Sequence, residues 1–185
     1  HDIIEAVKRT TAICRDLTSY SRRSSLRQDC LIGVSGKLDE ALKIARYAVA
    51  LQDIEIRKLY QPDVVVKGNP DELLHVFVNL ITNAVQAMDH HGTLTLEATA
   101  MADATQIRVS DTGSGIAPEL LGRIFEPFFT TKPPGKGTGL GLYNIKNVIH
   151  HMSGTIGVDS QIGRGSTFTL TFPGEPGADE MTTQS

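Results

Sequence analysis

The sequence PDELLHVFVNLITNAVQAM, which runs from Pro70 to Met88, decides the fold of this chain. Asn69 supplies a cap residue before it, Pro70 suits the first helical position and Glu72 the third, so the segment has the start of a helix. Most of its surface is apolar, and no residue between Glu72 and Asp89 is charged. The stretch therefore predicts one long and mostly apolar helix.

One narrow stripe of this helix is polar but uncharged. It consists of His75, Asn79, Asn83 and Gln86. Amides at i and i+4 point the same way, and their carbonyl oxygens accept hydrogen bonds or bind metal ions. Mg²⁺ prefers hard oxygen ligands and is usually shared with substrate phosphates. The stripe therefore indicates a magnesium site, with a solvated row of amides as the alternative.

A carboxylate followed by a glycine turn is the second informative segment, Asp111-Thr112-Gly113-Ser114-Gly115. It ends a predicted strand over Gln106–Ser110. A charged carboxylate is a strong acceptor for an amino group such as that of adenine, and glycines allow a close approach to a flat ring. Taken alone, the pattern is as typical of a tight turn as of a binding site.

The third segment is a run of alternating glycines, Gly137-Thr138-Gly139-Leu140-Gly141-Leu142, before a predicted helix over Leu140–His151. The first N–H groups of a helix lack partners within it, and a glycine run leading into them is a natural phosphate cradle. The run is neither a Walker A motif nor G-x-G-x-x-G. Lys132 and Lys136 precede it within reach of a phosphate, although a solvated loop charge is favoured for Lys136.

The remaining segments predict a fold in which strands and helices interleave without regular βαβ spacing. A further helix is expected over Lys37–Leu51. Strands are expected over Cys30–Val34, Ile54–Tyr60, Val64–Lys67, Thr93–Thr99, Thr155–Asp159 and Ser166–Phe172. This order favours an α+β fold, a two-layer α/β sandwich with a mixed sheet. It is preceded by one bundle or coiled-coil helix over Asp2–Arg23, for which packing on its own domain is the alternative.

The stretch Ile116–Lys136 contains four prolines and is expected to be a long loop with short helical turns. Phe125, Phe128 and Phe129 lie in it, and such an aromatic cluster is typical of a lid that docks and releases. Packing into the core is the alternative for at least one of the three.

Composition excludes several classes of protein. The 185 residues are enough for one domain and an appendage, and a net charge of -3 provides no bulk electrostatic case for nucleic acid. Cys14 and Cys30 make no disulfide framework, which predicts a reducing, cytoplasmic location. No signal peptide or run of 18 apolar residues is visible. The chain is expected to begin inside a larger protein, so a membrane anchor upstream stays open.

In this order and spacing, the segments resemble the ATP-binding catalytic domain of sensor histidine kinases. Type II topoisomerases, mismatch-repair ATPases and a heat-shock chaperone share that superfamily. The four segments that resemble its N box, first glycine box, F box and second glycine box are Asn79–Ala84, Asp111–Gly115, Phe125–Phe129 and Gly137–Leu142. Gly163–Phe168 resembles the family's closing strand, and Thr130-Thr131-Lys132 resembles the nitrogen-regulatory and oxygen-sensing kinases. The similarity runs from about Cys30 to Pro173.

The resemblance implies a role for each matching residue. Asn83 would hold Mg²⁺, Asn79 would assist at the phosphates and Lys132 would meet the γ-phosphate, with Asn79 and Lys132 as the catalytic residues. Asp111 would hold adenine, with Ser166 as a weaker second contact. The expected site for ATP and Mg²⁺ comprises Asn79, Asn83, Asp111, Gly113, Gly115, Lys132, Gly137, Gly139, Leu140, Gly141, Leu142 and Ser166.

The resemblance also implies a domain layout and partners. Ile13–Arg22 resembles the second helix of the dimerisation and phosphotransfer domain, so residues 1–27 would be an incomplete piece of it, 28–173 the catalytic domain and 174–185 a disordered tail. His1 lacks the setting of an acceptor histidine, because no proline follows in Asp2-Ile3-Ile4-Glu5. The acceptor is therefore expected outside this chain. The partners implied are a second copy through the amino-terminal helix and a response regulator receiver domain.

Three other functions stay open at this point. A clamp-type ATPase would carry a glutamate four residues before the metal-binding asparagine to activate water, and this chain has Asn79 there. A pseudokinase or interaction module would bind nucleotide without turnover. A serine-directed anti-sigma kinase is disfavoured by the predicted amino-terminal helix.

Overall fold

The computed structural model describes residues 29–49, 51, 53–133 and 137–174. Within these ranges seven strands and four helices follow one another. They are β1 (Cys30–Gly33), α1 (Val34–Ala48), β2 (Ile54–Tyr60), β3 (Val65–Gly68), α2 (Pro70–Ala87), β4 (Gly92–Ala100), β5 (Ala104–Asp111), α3 (Pro118–Leu121), α4 (Gly141–His151), β6 (Thr155–Gln161) and β7 (Gly165–Pro173). The expected bundle helix over Asp2–Arg23, the tail after Gly174 and Lys136 lie outside the described residues.

The main sheet is mixed, which confirms the predicted fold class. Its strand order is β2-β4-β5-β7-β6, with β2 parallel to β4 and the other pairs antiparallel. Strands β1 and β3 form a separate antiparallel pair. No helix in the described part of the chain is long and apolar enough to cross a membrane.

The helices cover one face of the main sheet and the other face is polar. In β4, Leu94, Leu96 and Ala98 are buried while the residues between them are not. The buried side chains of α2 are Leu73, Val76, Phe77, Leu80, Ile81, Ala84 and Val85. On the opposite face, Glu97 and Arg108 form an ion pair at 3.6 Å. Alternation of this kind is what a sheet with one solvated face requires, and it makes the molecule a two-layer sandwich.

Helix α2 begins as its sequence predicts. The Asn69 side chain accepts hydrogen bonds from the N–H groups of Asp71, at 3.0 Å, and Glu72, at 3.2 Å. These two bonds satisfy N–H groups that have no partner inside the helix. The apolar side chains of α2 pack into the core beside the sheet, and its polar stripe therefore faces away from the core.

Several predicted boundaries were displaced by one to three residues. Val34 was expected to end β1 and Lys37 to begin α1, but Val34 is the first residue of the helix. Its side chain is fully buried and its N–H bonds to the carbonyl of Val64, so the hydrogen bonding of β1 to the β3 side continues into the first residue of the helix. Strand β5 extends one residue further than predicted and includes Asp111, so this carboxylate has a fixed place in the sheet rather than in the turn.

Candidate active site

The carboxylate of Asp111 is buried at the end of β5, with only 7% of the residue exposed. It lies directly opposite Ser166 of β7. Its Oδ1 accepts a hydrogen bond from the Gly113 N–H at 2.8 Å, and the Ser166 N–H also bonds to the carboxylate. Burial raises the pKa of Asp111, while these two hydrogen bonds oppose the rise. The group is therefore a fixed acceptor in a poorly solvated setting.

The glycines after Asp111 serve close packing of backbone on backbone. A Cβ atom on Gly113 would lie 2.5 Å from the carbonyl of Ala87, the last residue of α2. Gly115 likewise leaves no room for a side chain, because the carbonyl of Gln161 lies against it. The Ser114 N–H donates to the Ala87 carbonyl at 2.9 Å. The turn therefore ties Asp111 to the carboxyl end of the helix that carries the amide stripe.

Two side chains of the amide stripe of α2 bind the ammonium group of Lys132. The Lys132 Nζ donates to Asn83 Oδ1 at 3.2 Å and also to Gln86 Oε1. Asn79 lies one turn earlier on the same exposed face. Burial of Lys132 between these groups lowers the pKa of its ammonium. Two amide oxygens that converge on one ammonium form a point suited to positive charge.

Gln86 did not belong to the predicted site. It was recognised on the polar stripe, but no motif singled it out. The sequence feature that could have identified Gln86 is its spacing of three residues from Asn83, which places both side chains on one face of a helix. Among the described residues no group of three or more His, Cys, Asp or Glu side chains is placed to hold a metal ion. The ligands that this stripe itself can offer are amide oxygens.

The second glycine segment packs against the aromatic loop. Gly139 has a φ of 68°, in the left-handed region that favours glycine, and the Phe128 carbonyl lies where a side chain would be. A Cβ on Gly137 would lie 2.6 Å from the Thr130 Oγ1. These contacts join the start of α4 to the loop that carries Lys132.

Helix α4 begins at Gly141 without a side-chain cap. Leu140 precedes it as the cap residue, and the Leu140 N–H bonds to the Thr138 Oγ1 at 3.3 Å. Apart from the neighbouring residues and the backbone of the helix itself, no described atom lies within 4 Å of a Cβ placed on Gly141, and Leu142 is half-buried against the core. The described residues therefore leave room beside the first residue of the helix, which a phosphate cradle needs.

The three phenylalanines of the loop divide between two roles. Phe125 and Phe129 are half-buried against the core, beneath Lys146 and Arg123 at 5.7 Å and 4.7 Å respectively. Phe128 is 73% exposed and has a φ of 65°, which is unusual for a residue with a side chain. Core packing, the alternative left open above, therefore accounts for two of the three.

Comparisons with known proteins identify the arrangement. The sequence profile described as "Histidine kinase-, DNA gyrase B-, and HSP90-like ATPase" matches residues 68–176. The sensor kinase CckA of Brucella abortus is 36% identical over 188 aligned positions, which is 93% of this chain and 20% of the relative. The sensor histidine kinase ZraS of Escherichia coli is 45% identical over 108 residues, which is 58% of this chain and 23% of the relative.

Solved structures agree. A mycobacterial sensor histidine kinase, MprB, superposes with a TM-score of 0.71 at 25% identity, over 80% of this chain and 99% of that one. The catalytic domain of the histidine kinase ThkA gives a TM-score of 0.71 at 25% identity, over 81% of this chain and all of that one. The present chain thus spans about a fifth to a quarter of the length of these two curated relatives and the whole of the ThkA catalytic domain. The chain belongs to the family of histidine kinase-, DNA gyrase B- and HSP90-like ATPases, and it carries the ATP-binding catalytic domain of a sensor histidine kinase.

Proposed function

We propose that this domain binds ATP with Mg²⁺ beside the carboxyl-terminal half of α2 and transfers the γ-phosphoryl group to a histidine outside this chain. The observation that carries the proposal is the convergence of Asn83 and Gln86 on the ammonium of Lys132. This cation-binding point lies next to the turn that follows Asp111, because that turn packs on Ala87. A charged phosphate chain and a base would thus be bound at neighbouring places along one helix.

Adenine is placed at Asp111 in this proposal. The carboxylate is buried, accepts hydrogen bonds and has Ser166 directly opposite. A buried acceptor that loses water needs a donor in exchange, and the amino group of adenine supplies one. Ser166 is the second contact to the base.

The phosphates are placed at the start of α4. Support comes from the open space at Gly141 and from the uncapped helix start after Leu140. Gly137 and Gly139 hold this segment against the aromatic loop, so Lys132 is brought to the same side as the helix start. In the proposal, Leu142 lines the ring and Lys132 leaves the amides to meet the γ-phosphate.

The residues present fit Mg²⁺. Asn83 would hold it, because its Oδ1 already faces a cation and an amide oxygen is a hard ligand. Asn79, one turn earlier, would assist at the phosphates. When bound, the metal neutralises charge that develops on the transferred phosphoryl group. The contribution of the protein itself is to position the phosphates and to supply the Lys132 charge.

Phosphotransfer rather than hydrolysis is proposed because of Asn79. An amide does not remove a proton from water, whereas a clamp-type ATPase uses a carboxylate at that place. The same proposal includes three further parts. They are the acceptor histidine, the response regulator receiver domain that takes the phosphoryl group, and dimerisation through residues 1–27. So does a cytoplasmic location, which suits the exposed free thiol of Cys30.

Two measurements test the proposed function. Calorimetry with MgADP should give saturable binding to the 185-residue chain, and a longer form of the protein that includes the upstream helix should incorporate acid-labile phosphate from ATP. The chain alone should show negligible ATP turnover and no label on His1. Strong ATPase activity of the chain alone would favour the clamp-type ATPase, and binding without any phosphotransfer in the longer protein would favour a pseudokinase.

A further inference from the structure

Three polar side chains cross the main sheet in a row beside the core. Asp111 of β5 pairs directly with Ser166 of β7, and Ser166 pairs directly with Ser160 of β6. Directly paired residues point to the same face of a sheet, and here that is the face covered by helices. The next row inward is apolar and consists of Val109, Phe168 and Val158. Ser160 is thus a polar side chain at the core boundary to which the proposed site has so far given no role.

The hydroxyl of Ser160 makes three contacts. It accepts the Ile116 N–H at 2.8 Å, lies 3.0 Å from the Gly165 carbonyl oxygen and lies 2.9 Å from the Ser166 Oγ. Ser160 has a single proton to donate. The Gly165 carbonyl can only accept, whereas the Ser166 hydroxyl can donate or accept.

Only one arrangement of protons makes all three contacts hydrogen bonds. Ser160 must give its proton to the Gly165 carbonyl, and Ser166 must give its own to Ser160. If Ser160 instead donated to Ser166, two oxygens that both accept would face each other at 3.0 Å, which is unfavourable near a core. The Ser166 oxygen is then left with lone pairs alone, next to the carboxylate of Asp111.

We propose that Ser160 is a positioning residue that fixes the Ser166 hydroxyl as an acceptor and so selects a base with an amino group over one with a carbonyl group. The inference rests on the proposed placement of adenine at Asp111. With Ser160 in place, both side chains at that end of the pocket accept and neither donates. Adenine offers an amino group at its sixth position, whereas hypoxanthine offers a carbonyl oxygen that would meet acceptors only.

The test is the ratio of the dissociation constants for MgIDP and MgADP, measured by calorimetry on the 185-residue chain. The native chain should prefer ADP by roughly 5- to 100-fold, because the carbonyl analogue leaves buried acceptors unpaired. In Ser160→Ala the Ser166 hydroxyl is free to turn and donate to a carbonyl. The ratio should then fall about fivefold, the worth of one hydrogen bond. Ser160→Thr keeps the hydroxyl and should keep the ratio.

A matched control is the neighbouring pair of residues, Ser110 in β5 and Thr167 in β7, which lie next to Asp111 and Ser166 respectively. The Thr167 hydroxyl donates to Ser110 Oγ at 2.9 Å, and this pair lies on the opposite face of the sheet. Ser110→Ala removes a hydroxyl pair of the same kind and should leave the ratio unchanged. Ser160→Cys is nearly isosteric, and its weak thiol donor should give an intermediate ratio, so the question can be answered even if Ser160→Ala does not fold.

The Ser166→Ala background separates a positioning role from a merely structural one. If Ser160 acts through Ser166, replacing Ser160 there should no longer change the ratio. An unchanged ratio in both Ser160→Ala and Ser160→Cys, with ADP binding intact, would overturn the inference. So would an equal loss of affinity for both nucleotides in these two variants. Failure of the native chain to bind ADP, or an Asp111→Asn variant with unchanged affinity, would instead refute the proposed site.

Discussion

The two ends of the proposed nucleotide site are built in different ways. At the base end, Asp111 and Ser166 belong to paired strands, are buried and bond to backbone groups on both sides. At the phosphate end, Lys132 reaches the half-buried Asn83 and the exposed Gln86 from a loop, and its ammonium bonds there to side chains rather than to the backbone. A sheet residue cannot move without breaking the sheet, whereas a lysine on a loop can exchange partners. We infer that the base end supplies selectivity and the phosphate end supplies the movement that catalysis needs.

The largest effect should come from Asn83, at the phosphate end. Asn83→Ala removes the amide oxygen that faces the cation, and phosphotransfer in the longer protein should fall roughly 100- to 1000-fold, as for loss of one pre-organised charge-stabilising group. Labelling from ATP measures this directly. His75→Ala is the control on the same exposed stripe, two turns earlier, and should keep full activity. Equal losses in the two variants would mean that the stripe acts as a whole and would remove Asn83 as the metal ligand.

Asp111→Asn should give the next largest effect, on affinity. The variant keeps the shape but exchanges a charged acceptor for an amide, so MgADP binding should weaken by about 1.5–3 kcal/mol, or roughly 10- to 150-fold. Calorimetry measures it, with the exposed Asp159→Asn on β6 as a control that should bind normally. Unchanged affinity in Asp111→Asn would remove this carboxylate from the base end of the site.

The raised pKa of Asp111 also gives this prediction a pH dependence. Between the ordinary and the raised pKa, the folded protein binds more protons than the unfolded chain, so this group contributes less stability as pH rises through that window. The free energy of unfolding of Asp111→Asn should therefore increase, relative to that of the native chain, as pH rises. The affinity of the native chain for nucleotide should change with pH in the opposite direction, because the amino group of adenine needs an ionised acceptor. Native affinity should decline as pH falls through the raised pKa, while that of the variant stays flat.

The same contrast explains what the sequence could reveal. Periodicity and capping predicted α2 and its polar stripe, and the order of strands and helices predicted the mixed sheet, because those signals can be read along the chain. Ser160 and Ser166 were not recognised as a pair, since their contact depends on the register between β6 and β7. The close contact between Gly113 and the backbone of Ala87 was likewise not predicted. Which backbone passes against a glycine is decided by tertiary packing, and the local pattern does not contain it.

The smallest effect, and the most specific, should come from Lys132. In the structure its ammonium bonds to Asn83 and Gln86, and in the proposal it moves to the γ-phosphate, which ADP lacks. Lys132→Met should therefore weaken binding of a non-hydrolysable ATP analogue about tenfold, the worth of a hydrogen bond between charged groups. Its effect on ADP should be less than about twofold. Lys146→Met is the charge-matched control, because that lysine lies over Phe125 and not on the amide stripe.

The lowered pKa of Lys132 sharpens this last prediction. Only the protonated amine attracts the γ-phosphate, so the preference for the ATP analogue over ADP should decline as pH rises through the lowered pKa. In Lys132→Arg the guanidinium stays charged over the same range, and the preference should persist. A native preference that is flat with pH, or a loss of ADP affinity in Lys132→Met as large as that for the ATP analogue, would mean that this lysine stays on the amides. Both ends of the site would then be fixed, and the movement would have to come from another part of the loop.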